Sequence, residues 1–176
     1  QNGVKLLELF NKRVLVVGLG KSGQAAAIAL THCQAQVEAC DLKPSESFDP
    51  ELIASLERLG VKIYTGGYPP VSSATYDMLV ASPGISLDIE PFQQALACNL
   101  PVIGEVELAY QIKQPELTML AVTGTNGKTT TTALLEYILQ ADGRQAAAGG
   151  NIGTPLTRLV EEMTDGIIVV EMSSFQ

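Results

Sequence analysis

The sequence contains a single histidine, His32, and only three cysteines, Cys33, Cys40 and Cys98, none of them in a Cys-x-x-Cys spacing. Neither a disulfide framework nor a Cys/His zinc site can be assembled from so few ligands, so a reducing compartment is expected. Positive charge is also scarce: 11 Lys and Arg stand against 19 Asp and Glu, for a net charge of −8 with no basic cluster. Matching the phosphate rail of DNA or RNA requires such a cluster, which argues against a nucleic-acid partner. No apolar run approaches the roughly 20 residues of a membrane span. Residues 1–13 lack the layout of a signal peptide. The expectation is a soluble cytoplasmic protein with no membrane partner.

What is present is apolar material in a regular rhythm. Hydrophobic residues make up 46% of the 176 and charged residues 17%, enough for a packed core. Short β-branched runs at 14–17, 36–40, 61–64, 78–81 and 101–103 read as strands, and the amphipathic stretches 22–33, 50–59 and 91–98 between them as helices. This is the βαβ alternation of a parallel sheet covered on both faces. The polar stretch 109–116, which carries Pro115, reads as a linker, so a domain boundary is placed near residue 114. A second series follows: strand 118–122, helix 129–141, a strand ending at Ala148, helix 155–163 and strand 166–170. The fold class is therefore α/β, a Rossmann-like parallel-sheet domain over 1–114 followed by the start of a P-loop NTPase-like domain over 115–176. Three strands and two helices are thin for a sheet covered on both faces, and the second domain is expected to be incomplete. In that case the apolar run Ile167, Ile168, Val169 and Val170, with one backbone edge of its strand, is expected to meet water.

Two glycine turns carry chemistry. Gly18-Leu19-Gly20-Lys21-Ser22-Gly23 follows a strand and opens a helix, which is the context a G-x-G-x-x-G fingerprint needs. Its glycines permit the tight turn and let a ligand's phosphates approach the helix N-terminus. Asp41 ends the next strand, where an acid bonds a ribose hydroxyl. By itself this turn equally suits NAD, so an NAD-binding oxidoreductase remains an alternative, as does a nucleotide-binding module without turnover.

The second turn, Val122-Thr123-Gly124-Thr125-Asn126-Gly127-Lys128-Thr129-Thr130, resembles a phosphate loop with valine in the place of the usual first glycine. In such a loop backbone N–H groups cradle phosphates, the lysine pairs with β and γ oxygens, and the next hydroxyl binds Mg²⁺. Glu171, at the end of strand 166–170, stands where an NTPase keeps its second metal-binding group. Ser82-Pro83-Gly84 and Gly149-Gly150-Asn151-Ile152-Gly153 also follow strands and line the same crevices, and Ser173, Ser174 and Gln176 offer neutral hydrogen-bonding groups at the rim.

Taken together, residues 18–23, 81–85, 122–130, 149–153 and 171–176 resemble the Mur ligases, in family order and over nearly the whole chain; in that family valine at 122 is normal. The resemblance implies ATP-dependent addition of D-glutamate to UDP-N-acetylmuramoyl-L-alanine through an acyl phosphate, in peptidoglycan synthesis, by a monomeric enzyme. It implies that Gly18, Gly20, Lys21, Ser22, Gly23, Asp41, Lys43, Ser82, Pro83 and Gly84 surround the UDP end of that substrate, and that Asn151, Ser173 and Gln176 face its muramoyl-alanine part or the transferring phosphate. Gly124, Thr125, Asn126, Gly127, Lys128, Thr129 and Thr130 would hold ATP, Thr129 and Glu171 would hold Mg²⁺, and Lys128, Asn151 and Glu171 would carry the catalysis. It further implies that a modified lysine, a metal-binding histidine and the D-glutamate site lie outside these residues, so that the chain alone is expected to be inactive.

Overall fold

The computed structural model describes residues 8–151 and 153–173. Five parallel strands form the first sheet: β1 (Arg13–Val17), β2 (Gln36–Asp41), β3 (Lys62–Thr65), β4 (Met78–Ala81) and β5 (Val102–Gly104), in the order β3-β2-β1-β4-β5. Helices α1 (Lys21–His32), α2 (Pro50–Arg58) and α3 (Glu90–Ala97) make the crossovers. The pleat of β1 explains its unbroken apolar run: Val14 and Val16 join a core with Ala26, Ala27 and Leu30 of α1, while Leu15 and Val17 join a second core with Phe92 and Ala95 of α3. Both faces are covered, so alternation with polar residues is not required. The chain leaves β1 toward β2 on one side and returns to β4 on the other, which opens a crevice at the carboxyl ends of β1 and β4.

Helix α4 (Glu105–Ile112) follows β5 directly, and its second half falls within the 109–116 stretch that reads as a linker in the sequence. Its apolar face is shared: Leu108 packs into the first sheet's core and Ala109 into that of the second sheet. A two-turn helix whose stripe is split between two cores shows little periodicity of its own.

The second sheet consists of β6 (Leu117–Val122), β7 (Ala146–Gly150) and β8 (Gly166–Glu171) in the order β6-β8-β7, all parallel, with helices α5 (Lys128–Ala141) and α6 (Leu156–Glu162). Here the expectation for the 167–170 run is corrected. Strand β8 is central, so both its edges are paired, and Ile168, Val169 and Val170 are buried. The open edge belongs to β6, whose outer side pairs with no strand among the described residues. Leu120 of β6 and the α5 residues Leu134, Tyr137 and Ile138 stand exposed, Tyr137 by 69%. The other edge is closed: Glu136 Oε1 accepts from the outward N–H of Ala148 at 3.0 Å, and Gln140 Nε2 donates to the carbonyl of Ala146 at 2.9 Å.

A polar tie anchors the lower end of the first sheet. Asp77 accepts from the backbone N–H of Arg13 at 2.8 Å and from its guanidinium at 2.7 Å. The Arg13 side-chain bond, then the backbone bond, hold the Asp77 carboxyl down at about 2, against an ordinary 3.8. A depressed carboxylate contributes stability that is present above its unfolded value and lost as pH falls through its folded one. Urea titrations of wild type and Asp77→Asn should therefore show the wild type losing its advantage between about pH 4 and pH 2, with the two alike below that. An unchanged difference across that window would remove Asp77 from the acid response.

Candidate functional site

The first crevice is built by its own backbone. Gly18 takes a φ of 99° after β1, and its N–H donates to the carbonyl of Cys40 at 2.8 Å. The Oγ of Ser82, at the end of β4, donates to the Gly18 carbonyl at 2.8 Å, so this serine locks the turn across the switch point. The third glycine is compulsory for packing: a Cβ on Gly23 would lie 1.8 Å from the Gly18 oxygen. The second is different, since a Cβ on Gly20 would meet nothing within 4 Å. Gly20 caps α1 without a side-chain bond, leaving the first N–H groups of a 12-residue helix to point into that open space.

Asp41 does more than the sequence reading assigned to it. Its Oδ2 accepts from the N–H of Leu19 at 2.8 Å and its Oδ1 from the N–H of Lys43 at 2.9 Å, so the carboxylate shapes the turn while each oxygen keeps acceptor capacity. The side chains of Lys21 and Lys43 are exposed, Ser22 is half-buried, and Pro83 and Gly84 follow Ser82 at the mouth of the crevice. Gln24, which sequence reasoning missed, donates from Nε2 to the Leu19 carbonyl at 2.7 Å.

In the second sheet the parallel register pairs Val122 with Glu171, so the loop leaves β6 beside the residue that ends β8. The Met172 N–H donates to the Val122 carbonyl at 3.0 Å, and the Asn151 N–H donates to the Glu171 carbonyl at 3.0 Å. Residues 122, 151 and 171 thus share one strand-end rim. Gly124 (φ 151°) and Gly127 (φ 76°) give the loop its positive dihedrals, and Gly127 caps α5. The ammonium of Lys128 donates to the Gly124 carbonyl at 2.8 Å, folded over its own loop. Thr125, Asn126, Thr129 and Thr130 are exposed, as is Asn151, whereas Glu171 is only 4% exposed. Ser173 is half-buried on the same rim, and Gln176 lies outside the described residues.

One hydroxyl and one nearly buried carboxylate are hard oxygen donors of the kind Mg²⁺ takes, with phosphate oxygens and water completing its octahedron. No group of three or more His, Cys, Asp or Glu side chains placed to hold a metal occurs among the described residues. Burial pushes the thiols of Cys33 and Cys40 up to about 11 and about 12, which leaves both protonated and inert near neutrality. No helix among the described residues is long and apolar enough to cross a membrane.

Helices α1 and α6 face each other across a cleft. Lys21, Gln24 and Ala25 of α1 form one wall of this cleft of about 620 Å³, and Gly153, Thr154, Pro155 and Arg158 form the facing wall. A Rossmann-like parallel sheet followed by a second parallel sheet that carries a glycine-rich strand-to-helix loop defines the fold class as α/β with two nucleotide-type turns. The chain matches the MurD-like N-terminal domain of Mur ligases over residues 12–104 and the Mur ligase middle domain over residues 122–176, and it belongs to the Mur ligase family. It is 43% identical over 171 residues to the UDP-N-acetylmuramoylalanine–D-glutamate ligase of Acidobacterium capsulatum, covering 97% of this chain and 36% of that protein. It is likewise 43% identical over 172 residues to the ligase of the same name from Pelotomaculum thermopropionicum, covering 97% of this chain and 37% of the relative. The chain thus spans little more than a third of the length of these curated relatives. Among solved structures, the murein peptide ligase of Psychrobacter arcticus superposes with a TM-score of 0.55 at 21% identity, covering 94% of this chain and 39% of that one, a likeness of fold.

Proposed function

We propose that these residues serve an ATP-dependent ligase that joins D-glutamate to UDP-N-acetylmuramoyl-L-alanine, a cytoplasmic monomer of peptidoglycan synthesis. Residues 1–114 hold the UDP end of the substrate and residues 115–176 begin the ATP-binding unit. The observation that carries this reading is the pairing of Val122 with Glu171, which sets an acid at the mouth of a glycine-rich loop that carries Lys128 and Thr129. The likeness to ligases named for D-glutamate over nearly the whole chain supports the choice of substrate.

In this reading the N–H groups around Gly124, Thr125, Asn126 and Gly127, with the start of α5, cradle the ATP phosphates. Lys128 leaves the Gly124 carbonyl for the β and γ oxygens, and Thr129 and Glu171 hold Mg²⁺, which neutralises charge on the phosphoryl oxygens when bound. The alanine carboxylate of the substrate attacks the γ-phosphorus and ADP leaves; the amine of D-glutamate then attacks the acyl phosphate and inorganic phosphate leaves. Asn151, on the shared rim, orients the muramoyl-alanine end. No protein nucleophile is required, in keeping with the protonated, buried thiols.

Calorimetric titration of the chain with UDP and with NAD tests the first crevice. UDP is expected to bind at least about tenfold more tightly, a difference of about 1.4 kcal/mol. Tighter binding of NAD would overturn the reading in favour of a dinucleotide site.

A further inference from the structure

Glu105 opens α4 directly after β5 and is 1% exposed. Its Oε1 accepts from the backbone N–H of Thr157 at 2.7 Å and from Thr157 Oγ1 at 2.8 Å, while Oε2 has no hydrogen-bond partner among the described residues. Thr157 is the second residue of α6, fully buried, and the N-cap of that helix, Pro155, offers no side-chain bond. Glu105 therefore satisfies an end group of α6 that a local Ser or Asp cap ordinarily takes, and it does so from the opposite sheet's side of the molecule. Space filling alone would favour an apolar residue here, because burying a carboxyl with one oxygen unpartnered is costly. Burial pushes this carboxyl up from the ordinary carboxylate range, and the bonds from Thr157 and the Leu156 N–H oppose that shift.

The helix so capped begins where residues 149–155 end, and Gly153, Thr154 and Pro155 form the wall of the cleft that faces Lys21 and Gln24. We propose that Glu105 is a positioning residue: from the end of the first sheet it holds the start of α6, and with it the loop bearing Asn151, at the separation from the 18–23 turn that one extended nucleotide-sugar ligand spans. The proposal rests on the ligase reading above. A ligand seated on both walls gains from walls already at the right distance, whereas a ligand confined to the first crevice does not.

The test is calorimetry on the chain with two probes, UDP and UDP-N-acetylmuramoyl-L-alanine. Glu105→Ala should weaken binding of the longer ligand about tenfold, the scale of losing a hydrogen bond, and leave UDP within about twofold. Glu105→Gln, which keeps an acceptor for both Thr157 donors, should restore the longer ligand's affinity. Equal weakening of both probes, or no change in either, overturns the proposal. Should Glu105→Ala fail to fold, Thr157→Val decides: it removes the Oγ1 bond alone, and undiminished affinity for the longer ligand is again fatal. If the wild-type chain binds neither probe, the ligase reading itself falls and the proposal falls with it; if wild type binds both and the variants match it, only the proposal falls.

Discussion

Lys128→Ala, introduced into a protein of full family length, is expected to lower turnover by about 10³-fold or more, the usual consequence of removing a charge clamp from a transferring phosphoryl group. The ammonium stands 2.8 Å from the Gly124 carbonyl, so it is already over the loop and needs only a change of partner to reach phosphate oxygens. The loop itself supplies no second cation, since residues 122–127 are apolar or neutral. Lys128→Arg should not rescue the rate, since a planar guanidinium fork does not reproduce the point charge of a compact ammonium. Glu171→Gln should chiefly raise the Mg²⁺ concentration needed for half-maximal rate, because a neutral amide oxygen is a weaker ligand for a hard cation. Steady-state rates across a Mg²⁺ titration check both. Near wild-type rates with unchanged metal dependence in the two variants would refute the phosphate-loop reading.

The second large effect is structural and falls on Gly23. A methyl group there meets the Gly18 carbonyl at 1.8 Å and Ser82 Oγ at 2.5 Å, and neither is the far end of a flexible chain. The backbone of β1 or α1 must move, so Gly23→Ala is expected to cost about 3 kcal/mol or more, at the severe end for overpacking. Gly20→Ala is the contrasting variant. Its φ of −68° suits any residue and its Cβ enters open space, so stability should change by less than about 1 kcal/mol. The same open space is where phosphates would approach, so Gly20→Ala should weaken UDP binding while the fold persists. Urea midpoints and calorimetry on the two variants separate packing from binding. A Gly23→Ala protein of wild-type stability would mean that the turn is not built as described.

The sequence reading and the structure part company where contacts are distant. The strands and crossover helices of the first sheet lie within a residue or two of their expected places, because each is a short periodic segment bounded by Gly, Pro or Asp. The phosphate loop is equally local, a run of consecutive residues between a strand and a helix. Helix α4 was hidden because its apolar residues serve two cores. The apolar run of β8 suggested that its own edge would be open, yet periodicity reports only that a strand is apolar on both faces, not which neighbours it has. The order β6-β8-β7 places the open edge on β6 instead.

Asp41, Glu105 and Glu171 show the same division in single residues. Each ends a strand or directly follows one, a signal visible in the sequence for all three, but only two were read as functional. Asp41, expected to bond a ribose hydroxyl, bonds the N–H groups of Leu19 and Lys43, and Glu171 lies on the rim with Val122 and Asn151. Glu105 was passed over because its partner, Thr157, is 52 residues away. The two glycine turns, the lysine and the family likeness were determined by the sequence alone, since consecutive residues set backbone dihedrals and the local supply of N–H groups. The register of Val122 against Glu171, the closed and open edges of the second sheet, and the cap that joins the two sheets were decided only by the tertiary structure. They depend on which buried groups find partners across the core, and that pairing is set by the packing of the whole chain and not by any local spacing.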